Sequence, residues 1–115
     1  PLLGPGFVSV QSTGTYERSM MHILHEGGCA VDIPQGIGMA GAGILMIGSK
    51  GSNYIQCRDS YYAFKKQLDL FVHWLRTGEE PFPVAQSVEL MKMVVAGLRS
   101  RKEGGRVVKL SEIDV

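Results

Sequence analysis

The sequence predicts an α+β fold: a mostly antiparallel sheet of about five to six strands with two helices packed on one of its faces. Three observations lead to this class. Short apolar runs separated by glycines fill the first half of the 115-residue chain, two segments with helical periodicity follow, and a last apolar run lies near the end. Strands, then helices, then a final strand are typical of an antiparallel sheet with helices on one side.

Short apolar runs predict the strands, and the glycines between them predict the turns. Gly27-Gly28 separates two runs, and residues 48–51 separate two others, with Gly51 available for a positive φ. Two hairpins are therefore expected. The pattern leaves open which side of each strand faces the helices. The predicted strands are residues 7–12, 19–25, 29–33, 43–47, 52–57 and 106–110.

The second half of the chain predicts two amphipathic helices. Asp59 or Ser60 can cap the first helix, and Gly78 can end it. The prolines in residues 79–83 lack the amide donor that a helix needs, so the chain breaks there. A second helix comes next and stops at Gly104-Gly105. The apolar stripes are Phe64, Leu68, Phe71, Val72 and Leu75 on the first helix, and Val88, Met91, Val95 and Leu98 on the second.

Charge and composition exclude several classes of partner. Twelve basic and eleven acidic side chains give a net charge of +1, so no strong field attracts nucleic acid or an anionic membrane. No apolar run approaches the roughly 18 residues of a membrane span, and no signal peptide is recognised. Cys29 and Cys57 lack metal-ligand spacing and are expected to be reduced, buried thiols. We therefore expect a cytoplasmic protein with no nucleic-acid or membrane partner.

The segment "GIGMAG" at residues 36–41 has the spacing of the dinucleotide fingerprint G-x-G-x-x-G, and Asp59 lies downstream of it. That fingerprint requires a strand running into its first glycine and a helix beginning within it. Here Pro34 and Gln35 are predicted to separate the strand from the motif, and residues 42–48 form a run too short and strand-like for a crossover helix. We therefore predict no cofactor-binding residue here, and Asp59 as a helix cap.

Other candidate sites give no self-contained chemistry. His22 and His25 are three residues apart on a predicted strand, so they point to opposite faces and cannot bind one metal ion. Tyr16 and Arg18, at the bend before that strand, could contact a polar ligand, or Arg18 could form a turn salt bridge with Glu17. No catalytic residue and no metal ligand is predicted.

One face of the sheet is expected to remain uncovered by helices. Met20, His22 and Leu24 alternate along one predicted strand and could lie on that face. Because an exposed apolar face commonly binds a partner, we predict a subunit interface there.

Residues 40–113 contain a series of motifs in a familiar order and spacing. They resemble the end of the Gfo/Idh/MocA family, which includes glucose-fructose oxidoreductase and inositol dehydrogenase. The motifs are Ser49-Lys50-Gly51-Ser52 before a strand, a helix with Phe71 and Leu75, then Gly78, Pro81 and Pro83, a helix with Ala96 and Ser100, and the final run Gly104-Gly105-Arg106-Val107-Val108-Lys109-Leu110.

The resemblance implies a longer parent enzyme that transfers hydride to or from a sugar, cyclitol or related hydroxyl compound. In this family a separate Rossmann domain binds NAD or NADP, and the C-terminal domain shapes the substrate site and makes subunit contacts through its open sheet face. The family's catalytic motifs, E-K-P and G-x-H-x-x-D, do not occur in this chain. The chain alone is therefore expected to be inactive and to bind no cofactor, and to assemble as a homodimer or homotetramer.

The length fits one domain, residues 1–115. Because the first residue is Pro1 rather than Met, we expect a fragment of a longer protein whose Rossmann domain is absent here. The alternative is a free-standing α+β module that binds a ligand or regulates a partner without catalysis. The upstream coding sequence distinguishes the two.

Overall fold

The computed structural model describes residues 3–38, 43–56 and 58–114. These residues form six strands, two α-helices and one short 3-10 helix, in the predicted order, and every strand pairing is antiparallel. The α+β class is therefore confirmed. The elements are β1 (Phe7–Gly14), β2 (Arg18–His25), β3 (Ala30–Gly36), β4 (Gly43–Gly48), β5 (Gly51–Gln56), α1 (Ser60–Thr77), α2 (Val84–Lys102), β6 (Val108–Lys109) and the 3-10 helix η1 (Leu110–Glu112).

The strands divide into two sheets, where the sequence led us to expect one. A four-stranded sheet has the order β3-β2-β1-β6, and β4 pairs with β5 alone. The chain correspondingly forms two compact units, Pro1–Gly38 with Phe82–Val115, and Met39–Pro81. Helix α2 packs on β1 and β6, as expected of a helix covering one face, whereas α1 belongs to the second unit.

The second unit contains the β4-β5 hairpin and α1. The hairpin closes by pairing Gly48 with Gly51, and Gly51 has a φ of +140°, so the predicted positive φ is confirmed. Asp59 caps α1 by accepting a hydrogen bond from the Tyr62 amide at 2.8 Å, and Gly78 ends it in the left-handed conformation. Both predicted caps are confirmed. The apolar stripe of α1 is between 41% and 68% exposed at Phe64, Leu68, Phe71, Val72 and Leu75.

The core of the first unit lies between the sheet and α2. Its buried apolar side chains are Val10, Ile23, Met93, Ala96, Val108, Leu110 and Ile113.

The stripe of α2 that contacts the sheet is not the one predicted. Its buried residues are Met93, Ala96, Gly97 and Ser100, whereas Val88, Met91, Val95 and Leu98 are between 37% and 56% exposed. Three of these four residues are small, and small side chains let the helix backbone approach the sheet. A Cβ added at Gly97 would lie only 2.6 Å from Cε of Met21.

Two polar side chains of α2 join the helix to the sheet. The Ser100 hydroxyl is fully buried, accepts a hydrogen bond from the Ser12 amide at 2.9 Å and donates to the Arg106 carbonyl at 2.6 Å. One carboxylate oxygen of Glu89 accepts from the amides of Gly6 and Phe7, at 2.9 and 2.8 Å. These contacts satisfy main-chain groups that packing would otherwise leave without partners.

Strand β3 continues to Gly36, through Pro34, where we expected it to have ended. The amide of His25 donates to the Cys29 carbonyl, and the amide of Ile37 donates to the Glu17 carbonyl, both at 3.0 Å. In an antiparallel pair, every second residue forms main-chain hydrogen bonds with the neighbouring strand. In β3 these are the odd-numbered residues, so the backbone nitrogen of Pro34 points away from β2, toward the open edge of the sheet. Its missing amide therefore costs no ladder bond.

Cys29 is exposed, which corrects the expectation of a buried thiol. It comes directly after the Gly27-Gly28 turn, between the end of β2 and the start of β3. Cys57 lies outside the described residues.

Carboxylates around Arg106 predict a stability that depends on pH. Arg106 donates to Glu103 at 2.7 Å and to Glu112 at 3.1 Å. Hydrogen bonds from Arg99 and Arg106 lower the pKa of Glu103, and hydrogen bonds from the Lys109 amide and Arg106 lower the pKa of Glu112. A carboxyl whose folded-state pKa is depressed stabilises the fold above its unfolded pKa of about 4.3, and this contribution is lost as the pH falls further.

We expect the free energy of unfolding to fall between pH 5 and pH 3, and to fall somewhat less in Arg106→Gln, because Glu103 and Glu112 lose this shared partner while keeping Arg99 and the Lys109 amide, respectively. Urea unfolding at a series of pH values measures this. Arg58→Gln is the matched control, because Arg58 is exposed and forms no ion pair with the residues that the structure describes. An acid-induced loss of the same size in Arg106→Gln and the control would contradict the assignment.

Candidate interaction surface

The face of the four-stranded sheet opposite α2 is the best candidate for a functional surface, and we call it the open face. Val10 and Ile23 are buried on the α2 side and lie directly opposite each other in β1 and β2. Alternation along each strand therefore assigns their sequence neighbours to the other side. The open face comprises Ser9, Gln11 and Thr13 of β1, Met20, His22 and Leu24 of β2, Ala30, Asp32 and Pro34 of β3, and Lys109 of β6.

The structure brings the three predicted interface residues together on this face. Met20 and Leu24 are 42% and 43% exposed, and His22 lies between them in β2. Pro34 lies opposite Met20, and Ala30 lies opposite Leu24. The centre of the open face is thus two apolar patches on either side of one polar pair.

That polar pair consists of His22 and Asp32, which face each other across β2 and β3. The Nδ1 of His22 lies 2.6 Å from Oδ1 of Asp32, and the side chains are 43% and 60% exposed. At this distance the Nδ1–H of the imidazole donates a hydrogen bond to the carboxylate, which fixes the orientation of the ring.

Alternation along β2 grouped His22 with Met20 and Leu24 as residues that could lie on this face, but the partner of His22 was missed. The sequence contained a signal for this partner. In a hairpin centred on Gly27, residues equally far from Gly27 on the two strands lie opposite each other, and His22 and Asp32 are each five residues from it.

His25 is separated from His22 by the sheet, as alternation required. Its Nε2 lies 3.0 Å from the Pro5 carbonyl, its Nδ1 accepts from the Gly27 amide at 3.0 Å, and its ring packs edge-on against Phe7. Within residues 3–38, 43–56 and 58–114, no group of three or more His, Cys, Asp and Glu side chains is arranged to hold a metal ion.

The bend between β1 and β2 does not contain the salt bridge we considered for Glu17 and Arg18. In the part of the chain that the structure describes, neither residue forms an ion pair. The bend is closed instead by the Thr15 amide, which donates to the Arg18 carbonyl at 2.7 Å, and the Tyr16 ring contacts the Arg101 guanidinium at 5.5 Å. A ligand role for Tyr16 and Arg18 remains a prediction.

The glycine motif has a different setting from the one predicted. Strand β3 does run into Gly36, and Gly38 has a φ of +76°, while residues 39–42 lie outside the described residues. The next described element is β4, which pairs antiparallel with β5, and α1 begins only at Ser60. A parallel β-α-β unit of the dinucleotide-binding type requires a crossover to a parallel strand, which an antiparallel hairpin does not provide.

A groove of about 600 Å³ runs along α1, lined by Ser60, Tyr61, Phe64, Lys65, Leu68 and Asp69. All six residues belong to one helix, and Lys65 pairs with Asp69 at 2.9 Å. The groove is therefore an amphipathic helix face rather than an enclosed ligand cavity.

Neither helix, over its described residues, is long and apolar enough to cross a bilayer.

Comparison with protein-family models, with curated proteins and with solved structures found no match to this chain. The resemblance to the Gfo/Idh/MocA family thus rests on the motifs alone and remains a prediction.

Proposed function

We propose that this chain is the oligomerisation and substrate-side part of an NAD(P)-dependent oxidoreductase, and that a second copy of the chain covers its open face. The observation that supports self-association is the character of that face. Met20 and Leu24 expose apolar surface on both sides of the His22–Asp32 pair, whose two side chains are already hydrogen-bonded to each other within one chain.

Such a face suits contact with a copy of itself. In a two-fold interface the same patch of each copy contacts the other, so an unpaired charge near the axis lies close to a charge of the same sign and is repelled. His22 and Asp32 are hydrogen-bonded to each other within one chain, so packing the apolar side chains leaves neither of these two polar groups without a partner.

The edges of the sheet favour this face-to-face route over side-by-side strand pairing. The outward positions of β3 include Asp32 and Pro34, and Pro34 has no amide to donate to an added strand. The other edge strand, β6, is only two residues long. A second copy is therefore expected to use the face of the sheet.

The order of elements supports the oxidoreductase parent. A hairpin, a helix, a Gly-Pro break, a second helix and a strand succeed one another as in the Gfo/Idh/MocA pattern. Ala96 and Ser100, two residues of that pattern, are buried on the sheet side of α2.

In this proposal NAD or NADP binds to the parent's Rossmann domain, the substrate is a sugar, cyclitol or related hydroxyl compound, and the enzyme is cytoplasmic. Binding of NAD or NADP to the 115 residues alone would contradict this division of roles.

Replacing both Met20 and Leu24 by lysine should break the assembly. Sedimentation equilibrium is expected to show a dimer or tetramer for the unchanged chain, and association at least about 100-fold weaker for Met20→Lys/Leu24→Lys, because like charges are then brought together in a contact that excludes water.

The matched control is Met91→Lys/Leu98→Lys, which adds the same charge at exposed apolar positions of α2, the helix that packs on the other side of the sheet. A monomeric unchanged chain at about 100 μM, as an order-of-magnitude ceiling for a specific dimer, would overturn the interface and favour a free-standing ligand-binding module. Equal association of both double variants would overturn the open face as the contact.

A further inference from the structure

We propose that the second unit, Met39–Pro81, opens locally in the native chain while the first unit stays folded. The second unit is then a conformational arm, and the first unit supplies the stability of the fold. This inference goes beyond the proposed function, and it depends neither on a second copy of the chain nor on an oxidoreductase parent.

The two units differ in what they bury. The structure describes residues 43–56 and 58–81 of the second unit, and each of these residues is exposed. All the buried residues of the described chain belong to the first unit, and Val10 and Val108 are buried completely. Because burial of apolar surface is the main favourable term in folding, the first unit has a core that stabilises it, and the described part of the second unit has none.

Helix α1 is held by local contacts. Asp59 caps its start, Gly78 ends it, and Lys65 pairs with Asp69 one turn along its surface. Contacts of this kind stabilise a helix only weakly, and a helix of this length in water depends mainly on the packing of an apolar face. Since the apolar stripe of α1 is exposed, we expect this helix to open at little cost.

The β4-β5 hairpin has the same weakness. Ile44 lies opposite Ile55, Leu45 lies opposite Tyr54, and all four side chains are exposed. A two-stranded hairpin without a packed face is marginally stable at best in water. Opening the hairpin therefore gives up little apolar burial, and both elements of the second unit are expected to open readily.

Helix α2 is held in the opposite way. Met93, Ala96 and Ser100 are buried, and the Ser100 hydroxyl bonds the Ser12 amide in β1. Opening α2 therefore exposes the core of the first unit and breaks a buried hydrogen bond. Segments of this kind open only when the whole cooperative unit unfolds.

Native-state hydrogen exchange of the full chain tests this difference. Amides of α1 and of the hairpin should exchange within about 100-fold of their unfolded-state rates. Amides in the second half of α2 should be slowed at least about 10⁴-fold, as expected of groups that exchange only on global unfolding. Equal protection of α1 and α2 would overturn the inference.

The same opening predicts which helix a protease cleaves first. Lys65, Lys66 and Arg76 lie in α1, whereas Lys92 and Arg99 lie in α2. Because cleavage within a helix requires local unfolding, limited digestion with trypsin should cut α1 while α2 is still intact. Cleavage of α2 before α1 would contradict the proposal.

Two proline variants form a matched pair. Leu68 lies inside α1 and Leu98 inside α2, and the two side chains are similarly exposed, at 55% and 52%. Proline in a helix interior removes a main-chain hydrogen bond and clashes with the preceding turn. Leu68→Pro should leave the protection of the α2 amides unchanged within about 3-fold, whereas Leu98→Pro should abolish it. Loss of α2 protection in Leu68→Pro, or its persistence in Leu98→Pro, would overturn the assignment of stability to the first unit.

Discussion

Replacing Ser100 by alanine should lower the free energy of unfolding by about 2–4 kcal/mol, which is large for the loss of one oxygen atom. The hydroxyl is fully buried and joins the Ser12 amide in β1 to the Arg106 carbonyl beyond α2. Removing it leaves a buried donor and a part-buried acceptor without their partner, and an unsatisfied buried group costs on the order of 1–3 kcal/mol. Water cannot replace the hydroxyl without opening the contact between helix and sheet.

Chemical denaturation of the purified chain measures the loss. Ser87→Ala is the control within the same helix, since the Ser87 hydroxyl makes no hydrogen bond with the described residues, and we expect a change within about 0.5 kcal/mol. Ser100→Cys, which keeps a weak donor of similar shape, should fall between the two. A loss in Ser100→Ala no larger than that in the control would show that the hydroxyl does not hold the helix to the sheet.

Local signals in the sequence were sufficient to predict most of the helices and strands. Strand runs, glycine turns and the caps of α1 depend on a few neighbouring residues, and the structure places each element within a few residues of its predicted bounds. Pro34 misled the prediction because a proline ends a central strand but is harmless at an outward position of an edge strand. Knowing that β3 is an edge requires the order of all the strands.

The packing face of α2 shows a different limit. Periodicity identified the helix, but hydrophobicity selected the larger side chains, while the sheet contacts a stripe that includes Ala96, Gly97 and Ser100. Close approach favours small residues, and this preference depends on what lies opposite, namely Met21 and Val10. Likewise, alternation placed His22 on the same side of β2 as Met20 and Leu24 without deciding which side that was, and its pairing with Asp32 depends on the register between two strands.

Replacing Gly14 by alanine should cost on the order of 3 kcal/mol or more, the second large effect expected in this protein. Gly14 ends β1 with a φ of +98°, a conformation that side chains disfavour. A Cβ there would also clash with the main-chain carbonyl of Arg18 and lie 3.0 Å from Cα of Ser19. That carbonyl accepts the Thr15 hydrogen bond that closes the bend, so the main chain must move.

Gly28→Ala separates the cost of the positive φ from the cost of the steric clash. Gly28 also has a positive φ, of +79°, but a Cβ there meets nothing within 4 Å, so its cost should be only the backbone strain of roughly 1–2 kcal/mol. Denaturation curves of both variants measure the difference, and equal losses would contradict a steric role for the Arg18 carbonyl. Because the bend fixes the position of β2 relative to β1, a shift of the main chain in Gly14→Ala should also displace β2, the strand that carries Met20 and His22. Self-association of the folded fraction should therefore weaken in Gly14→Ala and persist in Gly28→Ala.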